Sequence, residues 1–256
     1  MSELRIGLIG YGAIGRAFCD ALRMRDGARL ASVLTRSPRE GLAEGVTSLE
    51  AFLAAKPTVV VECAGQPALA QHGAALLALG LDVIAASVGA LADAALAERL
   101  RDAARQGGGR LIIPSGAVAG LDGLAAAKVV GLASVTYRQS APPTSWIGHP
   151  DAPPGLDLPG AHRVFAGTAR EAASRFPKNA NVTAAIALAG IGFERTTVEL
   201  FSDGSLTRNR HELFAQGAFG SLHVDIDAEP IAPGIRSSRL VAGSLLHTAM
   251  HGGMAF

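Results

Sequence analysis

The chain has 256 residues, 49% of them apolar and 18% charged, with a formal net charge of +1. Those values exclude a disordered chain and a nucleic-acid binder relying on a basic surface, and they allow one large or two modest domains. The longest apolar stretch, 184–193, is short and glycine-bearing for a membrane helix, no signal peptide is visible, and Cys19 and Cys63 read as buried free thiols, so a cytoplasmic protein is expected.

Along the first half, apolar runs of strand length recur: LRIGLIG (4–10), RLASVLT (29–35), TVVVECAG (58–65), DVIAAS (82–87) and RLIIPSG (110–116). Ala- and Leu-rich segments with helical spacing lie between them, such as 13–24 and 67–80. Short, wholly apolar strands alternating with helices predict a doubly wound parallel sheet covered on both faces. Such sheets bind ligands beyond the carboxyl ends of their strands. These strands end in small or polar residues, Gly10, Thr35, Ala64, Ser87 and Ser115, which let a ligand approach the backbone.

The first strand runs into Gly10-Tyr11-Gly12-Ala13-Ile14-Gly15, and a helix follows. Gly10 suits a tight turn, Gly12 an approach by a pyrophosphate, and Gly15 close packing of helix on strand. The N–H groups of Ala13 and Ile14 then open a helix whose positive end favours phosphate. A dinucleotide site is expected. At the end of the second strand an NAD-preferring site carries Asp or Glu, whereas this chain reads Thr35-Arg36-Ser37. No carboxylate there repels a 2′-phosphate, and Arg36 is either its partner or a solvated loop residue. NADP is expected to be accepted, alongside NAD or in its place.

After about residue 120 the rhythm changes. Residues 121–131 read as a helix, 133–140 as a strand, and 141–163 as a long Pro- and Gly-bearing loop holding Trp146, His149 and His162. A helix at 179–192 precedes two strands joined by Asp203-Gly204, a hairpin signal. Residues 222–230 alternate as a half-buried strand, and 237–250 form a last helix capped by Ser237 or Ser238, expected to pack back on the first domain. This grouping predicts an α+β domain with a mainly antiparallel sheet. Within it, Arg208-Asn209-Arg210-His211-Glu212 is an unusually polar strand. Residues two apart share a face, so Asn209 and His211 point together, with Asn209 placed to orient the imidazole. No Cys/His spacing resembles a zinc cluster, and no metal is expected.

Several segments together resemble the L-aspartate dehydrogenase family: GLIGYGAIG (7–15), VVECAG (60–65), DVIAASVGALAD (82–93), IPSGAVAGLDGL (113–124), FPKNANVTAAIALAG (176–190) and NRHEL (209–213). The resemblance implies an N-terminal Rossmann domain, set here at 1–120 with the helix 237–256 packed on it, and a substrate and dimerisation domain at 121–236. It implies a homodimer using NAD or NADP to oxidise L-aspartate to iminoaspartate and then oxaloacetate and ammonia, in NAD biosynthesis. Cofactor contacts fall by position on Ala117 and Asn181, and the catalytic residue on His211. Each has a bland alternative: Ala117 is small where a helix begins, and Asn181 or Asn179 suits a helix cap. Lys178, Asn209 and Arg163 are the candidates for binding substrate, with Arg208 and Arg210 further cations; Glu62 is either functional or a surface carboxylate. The chemistry asks for one base, to deprotonate the substrate ammonium and to activate water on the iminium, and histidine suits both near neutral pH. Rival readings are another reductase on this plan, of the dihydrodipicolinate reductase or homoserine dehydrogenase kind, and a non-catalytic nucleotide sensor.

Overall fold

A computed structural model describes residues 3–150, 160–235, 237–252 and 254–255. The chain forms two compact units, one of residues 1–116 and 241–256 and the other of residues 117–240.

The first unit is built on a seven-stranded sheet. In chain order it contains β1 (Leu4–Ile9), α1 (Ala13–Leu22), β2 (Ala28–Leu34), β3 (Gly45–Val46), α2 (Leu49–Ala54), β4 (Val59–Glu62), α3 (Gln66–Ala78), β5 (Asp82–Ala85), α4 (Ala94–Gly107) and β6 (Leu111–Ile113). The sheet order is β12-β6-β5-β4-β1-β2-β3, where β12 (Met254–Ala255) adds an antiparallel edge to six parallel strands. The chain adds β2 and β3 on one side of β1 and β4 to β6 on the other, so the strand order turns back between β1 and β4, the switch point at which doubly wound sheets bind ligands. The two-residue strands β3 and β12 are too short for periodicity to reveal. Ile6, Leu8, Val61 and Ile84 are buried in the sheet with Phe18 and Leu22 of α1. Leu245, Leu246 and Ala249 of α8 (Arg239–His251) join the same core. Ser238 caps α8, its Oγ accepting from Leu240 N at 3.1 Å. Further along, Ser244 Oγ accepts from Gly116 N at 2.9 Å and lies 3.1 Å from Ser115 Oγ, fastening the loop after β6 to the helix.

The second unit contains α5 (Leu121–Gly131), β7 (Leu132–Ala141), β8 (Ala161–Thr168), α6 (Ala169–Arg175), α7 (Ala180–Ala189), β9 (Thr197–Asp203), β10 (Asn209–Gly217) and β11 (Gly220–Ala228). Its sheet runs β11-β10-β7-β9-β8, antiparallel except between β7 and β9. One face buries Val135, Tyr137, Leu213 and Ala215. The other carries Arg138, which bonds Glu199 at 2.8 Å and lies over the Phe201 and Phe214 rings.

Two expectations are corrected. Asp203-Gly204 does not close a hairpin: β7 lies between β9 and β10. Asp203 instead accepts from the backbone N and hydroxyl of Ser205, turning the chain locally while it crosses to a new position in the sheet. The hairpin is β10–β11, paired through Gly217 and Gly220. The stretch 141–163 is not one loop, since Ala141 ends β7, residues 143–145 form a 3₁₀ turn, and β8 begins at Ala161; residues 151–159 lie outside the described residues. The helix after β8, not anticipated from the sequence, opens on Thr168-x-x-Glu171, a capping box in which Glu171 N donates to Thr168 Oγ1 at 3.2 Å and Thr168 N to Glu171 Oε2 at 2.7 Å.

Candidate active site

In the first unit the turn after β1 is made by backbone. Gly10 has φ +99°, and a Cβ there would lie 2.8 Å from the backbone of Ala64. At Gly15 a Cβ would collide with the Gly10 carbonyl, so the helix sits against the turn because neither residue has a side chain. Around Gly12 the space is open, with nothing within 4 Å of the Cβ position. Gly12 also caps α1 without a side-chain bond, and the first turn of α1 holds no acidic residue. Open space beside uncapped N–H groups at the positive end of a helix fits a dinucleotide's phosphates.

Glu62 is buried at the end of β4 and fixes the neighbouring loops. Its Oε1 accepts from Ala64 N at 2.7 Å, Gly65 N at 2.9 Å and Ser87 Oγ at 3.0 Å, and its Oε2 from Ser87 N at 3.2 Å. Burial pushes its pKa up and the four donors oppose that shift. The carboxylate therefore acts as an internal clamp on the ends of β4 and β5. Arg36 is exposed just past β2, where Thr35 Oγ1 donates to Ser37 O at 2.9 Å; among the described residues it makes no ion pair.

In the second unit His211 is 5% exposed on β10, directly opposite Gln139 of β7. Its Nδ1 lies 2.7 Å from the hydroxyl of Tyr137, which is wholly buried. The Tyr137 hydroxyl donates to Gln139 Oε1 at 3.3 Å, and Asn179 Nδ2 donates to the same oxygen at 3.0 Å. Desolvation lowers the pKa of His211 to about 4, so the ring is neutral over the physiological range. The imidazole is thus oriented by Tyr137 and not by Asn209.

The other candidates divide. Asn179 occupies the cap position of α7 without capping it, because its amide reaches Gln139; Asn181 is the second residue of the helix and exposed. Lys178 is exposed one residue before Asn179. Asn209 and Arg208 line a cleft of about 440 Å³ with Pro142, Thr144 and Thr207, at the end of the sheet two residues before His211. Arg163 is exposed on β8, three strands from β10; at ~4.8 Å per strand this is roughly 14 Å, and the sheet does not bring Arg163 to His211. Arg208 and Arg210 are engaged with Glu229 and Asp225. Ala117, buried, is the first residue of this unit. His149 is structural, stacked on Phe176 at 4.5 Å with Nε2 3.1 Å from the Arg175 carbonyl. Glu212, His223 and Asp225 bring ligand-type atoms within 4.8 Å of one another, but Asp225 already pairs with Arg210 and Glu212 lies 3.9 Å from the same guanidinium. That group is a cross-strand charge cluster.

A family model described as aspartate dehydrogenase, C-terminal, matches residues 122–251, and one described as homoserine dehydrogenase, NAD binding domain, matches residues 10–114. L-aspartate dehydrogenase 1 of Bordetella parapertussis is 49% identical over 257 residues, spanning 98% of this chain and 97% of the relative. The chain belongs to the aspartate dehydrogenase family. L-aspartate dehydrogenase of Ruegeria pomeroyi is 43% identical, spanning 99% of this chain and 94% of the relative. The crystal structure of aspartate dehydrogenase from Thermotoga maritima superposes with a TM-score of 0.79 at 27% identity, covering 99% of each chain. A hyperthermophilic archaeal homoserine dehydrogenase, at TM-score 0.60 and 11% identity over 98% of this chain and 99% of its own, shares the fold alone. This family member is an oxidoreductase with a nicotinamide-dinucleotide domain. Among the described residues no helix is long and apolar enough to cross a membrane.

Tyr137 and Gln139 escaped the sequence reading. The signal was present in TYRQS, where positions two apart on one strand are both polar-tipped and face inward, while Arg138 between them pairs outward with Glu199.

Proposed function

We propose that this chain catalyses reversible NAD(P)-dependent oxidative deamination of L-aspartate to iminoaspartate, which water converts to oxaloacetate and ammonia, with His211 as the base. The observation that carries the role of His211 is a buried, neutral imidazole anchored through Nδ1 by a buried tyrosine. The names of the 49% and 43% identical relatives support the substrate.

The cofactor, when bound, supplies the hydride acceptor for Cα of the amino acid. The Gly10–Gly15 turn and the N–H groups of Ala13 and Ile14 hold its phosphates, Ala64 lets it approach the end of β4, and Arg36 meets a 2′-phosphate. Ala117 and Asn181 are further proposed contacts. Nε2 of His211 takes one proton from the substrate ammonium, giving the neutral amine whose lone pair becomes the C=N bond as the Cα–H bond breaks. After that proton has left to solvent, the same nitrogen takes another from the water that attacks the iminium carbon, and returns it to the nitrogen of the resulting carbinolamine. The C–N bond then breaks to release ammonia as the hydroxyl loses its proton and becomes the carbonyl of oxaloacetate. A free-enzyme pKa of about 4 keeps the base unprotonated before substrate arrives. The two substrate carboxylates then raise its proton affinity when they enter, since nearby negative charge favours the imidazolium. Lys178 and Asn209 are the proposed carboxylate partners. A homodimer, which light scattering would test, and a cytoplasmic location, which cell fractionation would test, complete the reading.

The test is reduced-cofactor absorbance on adding L-aspartate with NAD+ or NADP+, beside homoserine, alanine and glutamate. Turnover with L-aspartate alone is expected. Turnover with homoserine instead would replace the reading by the archaeal enzyme's chemistry, and none with any amino acid would favour a nucleotide sensor.

A further inference from the structure

We propose that Tyr137, Gln139 and Asn179 form a one-way hydrogen-bond chain that fixes His211 as the Nδ1–H tautomer, leaving the Nε2 lone pair free. The inference deepens the reading of His211 as the base and rests on it, but its geometry belongs to the second unit alone.

Each link has its direction set by the group beyond it. Asn179 Nδ2 carries only protons, and it donates to Gln139 Oε1 at 3.0 Å. That oxygen carries only lone pairs, so the Tyr137 hydroxyl 3.3 Å away must donate to it. A hydroxyl has a single proton. Once it is given to Gln139, the Tyr137 oxygen meets Nδ1 of His211 at 2.7 Å as an acceptor, and the proton between them sits on Nδ1. In the opposite arrangement Tyr137 donates to Nδ1, and its lone pairs then face those of Gln139 Oε1. At a hydroxyl that no water reaches, such an unmade bond is costly. The one-way chain satisfies every link, and the opposite arrangement leaves one broken.

The residues come from three elements, which explains the rigidity of the device. Gln139 and His211 are register partners across β7 and β10, and Tyr137 lies two residues back on the same face of β7. Asn179 arrives from the start of α7, giving up its own capping bond to reach Gln139. An asparagine at a cap position normally spends its side chain on the helix, so its diversion here implies that the link to Gln139 is worth more. Tyr137 and Gln139 are accordingly positioning residues, acting through His211.

Nitrogen-15 NMR of histidine-labelled protein reads the tautomer directly, with His211 assigned by its absence in His211→Ala. The folded wild-type protein is expected to show His211 protonated on Nδ1. Gln139→Leu removes the acceptor, so Tyr137 turns its proton to Nδ1 and the ring becomes Nε2–H. Turnover of L-aspartate then falls about 10- to 100-fold with KM nearly unchanged, as loss of base function predicts. Gln139→Glu restores an acceptor and is expected to return both the Nδ1–H tautomer and most of the turnover. Wild-type protein showing Nε2–H overturns the chain without any variant, as does a Gln139→Leu protein that keeps Nδ1–H. An Nδ1–H ring that switches with Gln139→Leu supports the chain even if L-aspartate is not oxidised. That last outcome would count against the proposed reaction and not against the chain.

Discussion

The glycine turn of the first unit and the histidine of the second are built from opposite materials. Around Gly10, Gly12 and Gly15 the site consists of backbone and of space kept empty. Its donors are main-chain N–H groups, and the one important side chain, Glu62, is buried and braces two loops. Around His211 the backbone is an ordinary antiparallel ladder, and everything specific is done by side chains from β7, β10 and α7. A site of the first kind is damaged by adding atoms, and one of the second kind by removing them.

The largest effect that separates the two is on turnover. His211→Ala is expected to lower turnover of L-aspartate by about 10²–10⁴, with the dissociation constant for NAD(P)H nearly unchanged. Steady-state kinetics and fluorescence titration of the cofactor measure the pair. Near-normal turnover would remove the assignment, and a parallel loss of cofactor affinity would blur the division of labour.

Adding one carbon probes the other region. Gly10→Ala puts a methyl group 2.8 Å from the Ala64 backbone at a φ of +99°, and both the clash and the backbone conformation oppose it. A loss of roughly 2–4 kcal/mol in urea denaturation is expected. Gly12→Ala meets nothing, so its stability should stay within about 0.5 kcal/mol of the parent while cofactor affinity falls, because the methyl occupies the phosphate's approach. Equal losses of stability in the two variants would show that Gly12 is a turn residue only.

The same contrast decides what the sequence made legible. A turn made of glycines writes itself into consecutive positions, and Gly10-x-Gly12-x-x-Gly15 between a strand and a helix carries its geometry with it. Short apolar strands and the capped last helix were readable for a similar reason, since each obeys a local period or a cap. The surroundings of His211 are spread over Tyr137, Gln139 and Asn179, distant from it in sequence; the pairing of β7 with β10 brings the first two to the histidine, and the start of α7 brings Asn179 to Gln139. That pairing defeats the local signal, because Asp203-Gly204 suggests a hairpin that β7 interrupts. Asn209 was the natural partner for His211 by alternation along one strand. The actual partner, Tyr137, comes from the next strand.

Burial of the imidazole has a consequence for stability that the glycine turn lacks. An unfolded histidine binds its proton near pH ~6.5, whereas folded His211 does so only at about 4. Between these values the unfolded chain holds more protons, so stability rises with pH across that window and is lost as pH falls through it. The full difference, present above the window and gone below it, is up to about 3 kcal/mol. Urea denaturation of the wild type and of His211→Ala at about pH 7 and about pH 4 should show the wild type losing more on acidification. Equal losses would mean that the ring is more open to water than its 5% exposure indicates.

The smallest expected effect tests the exposed margin of the backbone-built region. Arg36 follows β2, where a carboxylate would hold the ribose 2′-hydroxyl of NAD. Its guanidinium is solvated, so a bond to a 2′-phosphate gains only the modest energy of an exposed charge pair and weakens with salt. Arg36→Ala should therefore weaken NADP binding by roughly three- to fivefold at low salt, leave NAD nearly unchanged, and lose much of the difference as ionic strength rises. Isothermal titration at two salt concentrations reads all three quantities. If NAD and NADP weaken together, Arg36 holds the adenine they share, and the preference between the cofactors is set elsewhere in the turn after β2.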